Sequence, residues 1–260
     1  ISCSLVGSEM CIRDSGIIYL TGPTGSGKST TLYMVLEELS KKQVNISTIE
    51  DPVEKNVARI NQMQVNNLAG VTFEAGLRAL LRQDPDIIMV GETRDSETAS
   101  ISVRAAITGH LVFSTLHTND SASSIIRLVD MGLEPYMIAN SLVGVVAQRL
   151  MRKVCPLCAV AEAPTEEEKE FMERDFPRIM RPRGCRHCNN TGYKGRTAIH
   201  EILTIDRTIR DMISSHATVE EVKDYALEHQ GMKTLKECGV DLVEAGVTTM
   251  EELMKVAYYS

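Results

Sequence analysis

The 260-residue chain is 43% hydrophobic and 24% charged, a balance that allows one large core with a smaller satellite. No run approaches the roughly 18 apolar residues of a membrane span, and a net charge of −7 argues against bulk nucleic-acid binding. Seven cysteines, an odd number, are too few for a disulfide scaffold at this length. Four of them are paired by spacing, which points to metal in a reducing compartment. With no Trp and four Phe, aliphatic side chains must form most of the core.

Residues 1–15 carry Cys3, Gly7, Cys11 and mixed charges with no helical or strand period. The segment is too short and too polar for a signal peptide. Leu5 to Ser15 reads either as a translated cloning or sequencing adapter or as an ordinary disordered terminus. The fold is expected to begin at Gly16, with something upstream missing.

Ile17 to Leu20 is an apolar strand candidate. It leads into Gly22-Pro23-Thr24-Gly25-Ser26-Gly27-Lys28-Ser29-Thr30 and a helix expected from Ser29 to about Leu39. Strand, glycine-rich turn and helix are the context of a phosphate-binding loop. The glycines let successive N–H groups converge on phosphates. The helix N-terminus adds about half a positive charge there. Lys28 can reach the β- and γ-phosphates, and the Ser29 hydroxyl can ligate Mg²⁺. This loop is therefore expected to bind a nucleoside triphosphate.

Val44 to Ile49 is a β-branched run that should lie parallel to the first strand. A helix is expected over Phe73 to Arg82, then a buried strand over Asp86 to Val90 that ends in Gly91-Glu92. A helix from Thr98 to Ile107, a strand from Leu111 to Thr115 and a helix from Ser121 to Met131 follow. Alternation of helices with near-continuous apolar strands predicts an α/β fold, a parallel sheet covered on both faces. Ligands of such sheets bind beyond the carboxyl ends of the strands. Glu50, Asp51 and Glu54 follow the second strand, Glu92 follows the Asp86 to Val90 strand, and His117 follows the Leu111 to Thr115 strand. His110 stands just before that last strand. Carboxylates at strand ends can hold Mg²⁺ or orient an attacking water, and a histidine there can touch a γ-phosphate.

Four segments in order resemble the type II/type IV secretion ATPases. Gly22 to Thr30, Thr48-Ile49-Glu50-Asp51-Pro52-Val53-Glu54, Leu81 to Asp95 and Thr108 to Asp120 are similar to that family's Walker A, Asp-box, Walker B and His-box segments. The resemblance runs from about Gly16 to the C-terminus. It implies a RecA-like P-loop ATPase core that uses ATP and Mg²⁺. Gly22, Thr24, Gly25, Ser26, Gly27, Lys28, Ser29 and Thr30 would hold the nucleotide. Ser29 and Glu92 would belong to the magnesium site. Glu54, with Glu50 as its rival, would activate water, and His110 and His117 would sense the γ-phosphate. It further implies a cytoplasmic homo-hexameric motor at the inner face of a bacterial inner membrane. Such a motor works with an inner-membrane platform protein and a cytoplasmic adaptor, and no nucleic-acid partner is expected. The family's N-terminal domain, which supplies arginines to the nucleotide and half of the subunit contacts, is expected to be absent from this chain.

Cys155-Pro156-Leu157-Cys158 and Cys185-Arg186-His187-Cys188 form two C-x₂-C knuckles. Four thiolates so spaced can close a tetrahedron around Zn²⁺, with a redox pair and then free core cysteines as the alternatives. His187 lies inside a knuckle, where its side chain should point away. The family resemblance adds that assembly and secretion ATPases carry such a tetracysteine insert, whereas retraction ATPases generally lack it. Glu166 to Glu170 reads as an exposed helix start.

Tyr193 to Glu201 reads as a short strand after a Gly-rich turn, with His200 a packed or surface residue. Helices are expected over Thr208 to Ser214, Val219 to His229, Thr234 to Ala245 and Thr249 to Ala257. Thr218 and Thr249 would serve as N-caps, Gly231 and Gly246 as stops, and Met212, Met232, Met250 and Met254 as fillers between helices. The expected organisation is residues 1–15 outside the fold, 16–150 as ATPase core, 151–192 as zinc module, and 193–260 as a strand plus a helical subdomain on the ATPase sheet. The expected function is ATP hydrolysis driving assembly of type IV pili or type II secretion pseudopili. Two other readings stand beside it: a nucleotide- and zinc-binding fragment without turnover, and a DNA-translocating P-loop ATPase.

Overall fold

A computed structural model describes residues 15–257, so the adapter or terminus expected over residues 1–15 lies, but for Ser15, outside the described residues. The chain divides into two compact units. The first takes the described residues up to Ala147 and adds Ile202–Met232; the second takes Gln148–Glu201 and the described residues from Lys233 onward.

The first unit is built on buried strands. β1 (Gly16–Thr21) pairs in parallel with β5 (Leu111–Leu116) on one side and with β6 (Leu142–Val154) on the other. β5 pairs in parallel with β4 (Ile87–Val90), β4 with β2 (Ile46–Glu50), and β2 with β3 (Asn61–Gln64). With β9 (Tyr193–Thr204) the order is β3-β2-β4-β5-β1-β6-β9. Period two sends alternate side chains to opposite faces, and two apolar clusters result. Ile18, Leu20, Met89 and Phe113 pack with Leu32, Tyr33, Val35, Leu36 and Leu39 of α1 (Lys28–Leu39). Ile17, Tyr19, Ile88, Val90 and Val112 face the other way, onto the remaining helices of this unit.

Those helices include α2 (Phe73–Leu80), α3 (Ser96–Ile107), α4 (Ser123–Asp130) and α5 (Pro135–Ser141). Gly76 of α2 is a close-approach glycine. A Cβ there would stand 2.1 Å from Ile49 Cδ1 and 3.0 Å from Met63 Sδ. Thr72 and Asp95 cap α2 and α3 by accepting from the Ala75 and Thr98 amides. α3 therefore starts at Ser96, two residues before the sequence expectation.

In the second unit β7 (Val160–Glu162) and β8 (Ile179–Arg181) form an antiparallel pair beside α6 (Glu166–Met172). The expected helix start at Glu166 is borne out by a capping box between Thr165 and Glu168. Arg181 grips Glu168 with two hydrogen bonds, at 2.6 and 2.7 Å.

The C-terminal helices do not form one group. α7 (Arg207–Ser214) and α8 (Val219–His229) belong to the first unit, where Ile209, Ile213, Val222 and Ala226 join the core cluster. α9 (Leu235–Glu244) and α10 (Met250–Ala257) belong to the second. There Gly239 meets Leu253 so closely that a Cβ would lie 2.6 Å from its Cδ1. The residues expected to form a single subdomain over 193–260 are thus divided between the units, and β9 is 12 residues long. Arg152 stacks 3.8 Å above the Tyr193 ring and pairs with Glu252 at 2.8 Å, while Tyr193 Oη meets Thr249 Oγ1 at 2.9 Å. These contacts tie β6 and β9 to α10 within the second unit. Gly231 and Gly246 take the expected left-handed stops, at φ 63° and 68°.

Candidate active site and metal centre

The P-loop connects β1 to α1. Gly22, Gly25 and Gly27 hold φ values of 142°, 80° and 88°, conformations that side-chain-bearing residues avoid. α1 starts at Lys28 itself, one residue earlier than expected. The Lys28 ammonium folds back over the loop, donating to the Gly22 and Pro23 carbonyls at 2.7 and 3.1 Å. Ser29 Oγ donates to Glu54 Oε1 at 3.2 Å.

Lys28, Ser29, Glu50, Asp51, Glu54, Glu92 and His117 line one pocket together with Tyr33, Phe73 and Arg94. It lies at the carboxyl ends of β2, β4 and β5, where a parallel sheet offers its ligand site. Gly91 permits this convergence, since a Cβ there would press to 3.3 Å on the backbone of Ile49 and Glu50.

The carboxylates differ in setting. Glu50 is 4% exposed, and both its oxygens accept hydrogen bonds: Oε2 from Tyr33, Oε1 from Thr48 at 2.5 Å and from Gln62 at 3.1 Å. Glu54 is exposed, with Ser29 as its side-chain partner. Glu92 lies 2.6 Å from Arg94 and 3.0 Å from His117 Nε2. Burial by itself would raise the Glu92 carboxyl. The Arg94 hydrogen bond and the charges of His117, Arg94 and Lys28 outweigh it and hold the group below the usual carboxylate range. The loop carrying His117 is fastened to β1, since the Thr118 amide donates to Thr21 Oγ1 at 2.8 Å.

His110 is not brought to this pocket. It precedes β5 while His117 follows it, so the two stand about 20 Å apart at opposite ends of an extended strand. His110 Nδ1 lies 3.0 Å from the Ala105 carbonyl and 3.4 Å from Thr108 Oγ1, at the C-terminus of α3. Tyr33 and Arg94 join the site without a motif role of their own: Arg94 stands two residues past Glu92 in the Walker B-like segment, and Tyr33 four residues past Ser29 on the same helix.

In the second unit Cys155, Cys158, Cys185 and Cys188 bring their sulfurs within 4.8 Å of one another. Three pairs are 3.8 to 3.9 Å apart, close to the roughly 3.8 Å edge of a tetrahedron with 2.3 Å Zn–S bonds. The Cys185 and Gly192 amides each donate to Cys188 Sγ at 3.2 Å. Burial opposes ionisation of this thiol, but those amides bring it down to about 6. Four sulfurs at tetrahedral spacing fit a closed structural zinc site. His187 is not among the four. His200, in β9, is a packed residue as expected: Nε2 meets Gln148 Oε1 at 3.1 Å, and burial lowers the ring to about 4.

The profile of the Type II/IV secretion system protein family matches residues 8–255. The chain belongs to that family. Its relatives include the type II secretion system protein E of Aeromonas hydrophila, 47% identical over 96% of this chain and 50% of that protein. The type IV pilus assembly ATPase PilB of Thermus thermophilus is 49% identical over 95% of this chain and 28% of that protein. The chain thus spans half or less of the length of these relatives. Among solved structures, the pilus retraction motor PilT with bound ADP is similar at a TM-score of 0.71 and 31% identity, over 95% of this chain and 63% of PilT. The Legionella pneumophila ATPase DotB follows at 0.68 and 26%, over 97% and 62%. The RecA-like P-loop core expected of this family is the fold the chain has.

Proposed function

We propose that this chain is the ATP-hydrolysing part of a secretion or pilus assembly motor. The observation that carries the reading is the convergence of Lys28, Ser29, Glu54, Glu92 and His117 on one pocket at the strand ends. Gly22, Thr24, Gly25, Ser26 and Gly27 supply the loop that cradles the phosphates, and Thr30 the first turn of α1 behind it. Lys28 exchanges its carbonyl partners for the β- and γ-phosphates. Ser29 and Glu92 hold Mg²⁺, which when bound neutralises charge developing on the phosphate oxygens. Glu54 accepts the proton of the attacking water, and Glu50, buried and held by Tyr33, Thr48 and Gln62, serves as scaffold. His117, set against Glu92, contacts the γ-phosphate. We assign His110 to capping α3 instead.

The four cysteines hold one structural Zn²⁺ that braces the second unit. A tetracysteine centre, together with 47% and 49% identity to secretion and assembly proteins, favours pilus or pseudopilus assembly over retraction. The whole protein would act as a homo-hexamer at the cytoplasmic face of the inner membrane, with a platform protein and an adaptor as partners. Among the described residues no helix is long and apolar enough to cross a membrane. The test is ATP turnover by the full-length protein, measured beside nucleotide binding and with DNA added. Turnover that DNA leaves unchanged supports the reading. Binding without turnover, or turnover that requires DNA, would replace it.

A further inference from the structure

Ser29 and Tyr33 lie four residues apart on α1 and so share one helix face. Both reach the same residue of the loop after β2. Ser29 Oγ donates to Glu54 Oε1 at 3.2 Å, and the Glu54 backbone N–H donates to Tyr33 Oη at 3.1 Å. One turn of helix thus holds Glu54 by side chain and by main chain.

The Tyr33 hydroxyl is itself oriented. It donates its proton to Glu50 Oε2, and Glu50 is fixed from its other oxygen by Thr48 and Gln62. A phenol has a single proton, so committing it to Glu50 leaves the oxygen lone pairs to accept from Glu54. Tyr33 and Glu50 are each 4% exposed, so the bond between them is shielded from solvent. Burial, reinforced by the hydrogen bond to Glu50, pushes the Tyr33 hydroxyl up to about 12, so it keeps its proton at neutral pH.

We propose that Tyr33 is a positioning residue: its hydroxyl, oriented by Glu50, pins the main chain at Glu54 and so fixes where the Glu54 carboxylate stands beside Ser29. The assignment rests on the reading of Glu54 as the group that activates water. It gives Glu50 a separate task as the anchor of Tyr33. A side-chain contact alone would let the Glu54 carboxylate swing with its rotamer, whereas the main-chain bond holds the residue itself. Misplacing a reacting group by about 1 Å can cost about 100-fold in rate, so loss of one hydroxyl should be visible in kcat.

The test is a double-mutant cycle on the full-length protein with Tyr33→Phe and Glu54→Gln. Its readouts are turnover, binding of a fluorescent ATP analogue, and amide hydrogen exchange over residues 53–57. Tyr33→Phe should lower kcat by about 10- to 100-fold and speed exchange at Glu54, while KM and nucleotide affinity stay within about threefold. In the Glu54→Gln background, the same substitution should cost nothing further in residual single-turnover hydrolysis. An equal loss in both backgrounds would show a general structural role and overturn the proposal, as would an unchanged kcat. The exchange measurement needs no variant: the wild-type Glu54 amide should be protected, and exchange at the unprotected rate overturns the assignment. A wild-type protein that does not hydrolyse ATP would defeat the functional reading instead, and Glu54 exchange would still decide whether Tyr33 pins the loop.

Discussion

Ser29 Oγ donates to Glu54 Oε1 across 3.2 Å, joining the first turn of α1 to the loop after β2. The residue proposed to hold Mg²⁺ thus touches the residue proposed to activate water. Glu50, four residues earlier, has both oxygens engaged elsewhere. The two carboxylates that the sequence left as rivals therefore stand in different surroundings, and they should respond differently to substitution.

Lys28 is 8% exposed and covers the P-loop carbonyls. Lys28→Ala is expected to abolish ATP hydrolysis and weaken nucleotide binding by about tenfold or more, the scale of a lost charge-assisted contact. The fold should remain, since the helix begins within a glycine-shaped turn. Circular dichroism beside a binding titration checks both parts, and unchanged affinity in a folded variant would refute the role.

Elemental analysis of protein purified without chelator should find one zinc per chain. Few large apolar side chains lie between the knuckles, so metal-binding energy is also folding energy for the second unit. Chelation or Cys185→Ser should speed hydrogen exchange across residues 148–201 and across α9 and α10. The sheet from β1 to β5, and α7 and α8, bury their side chains in the first unit and should stay protected. Uniform loss of protection over the whole chain would show that the two units do not unfold separately.

Glu252 accepts from the Arg152 amide and side chain and from Lys255. Burial would raise its carboxyl, but these donors outweigh it and lower the group to about 2. A depressed carboxyl pKa gives stability that is present above the unfolded value near 4.5 and fades as pH falls toward the folded value. Wild-type protein should therefore lose stability between about pH 4.5 and pH 2 more steeply than Glu252→Gln, with the variant less stable at neutral pH. Parallel acid slopes in chemical denaturation would contradict this.

Local patterns made much of this fold legible. The apolar runs of β1, β4 and β5 and the glycines of the P-loop are signals within a few residues, and helix α8 falls at the expected bounds, Val219–His229. Strand β3, Asn61–Gln64, is four largely exposed residues, two Gln among them, at the sheet edge, so no apolar period announces it. The strand expected over Tyr193 to Glu201 starts where β9 does and runs on to Thr204. The four cysteines were legible from spacing alone, because the knuckle fixes its own geometry. Tyr33 was not, because its partners come from the end of β2 and the loop after it, and a tyrosine within a helix reads as packing. His110 and His117 share one motif, and only the direction of the strand between them separates their surroundings.

The central claim is that this pocket hydrolyses ATP with Glu54 as the group that accepts the proton from water. Phosphate release by full-length Glu54→Gln, measured alongside ATP binding, tests it most directly. The account predicts binding within about threefold of wild type and turnover reduced by about 100-fold or more, the scale of general-base catalysis. Glu54→Gln protein that hydrolyses ATP at the wild-type rate, while Glu50→Gln is inactive, would contradict it.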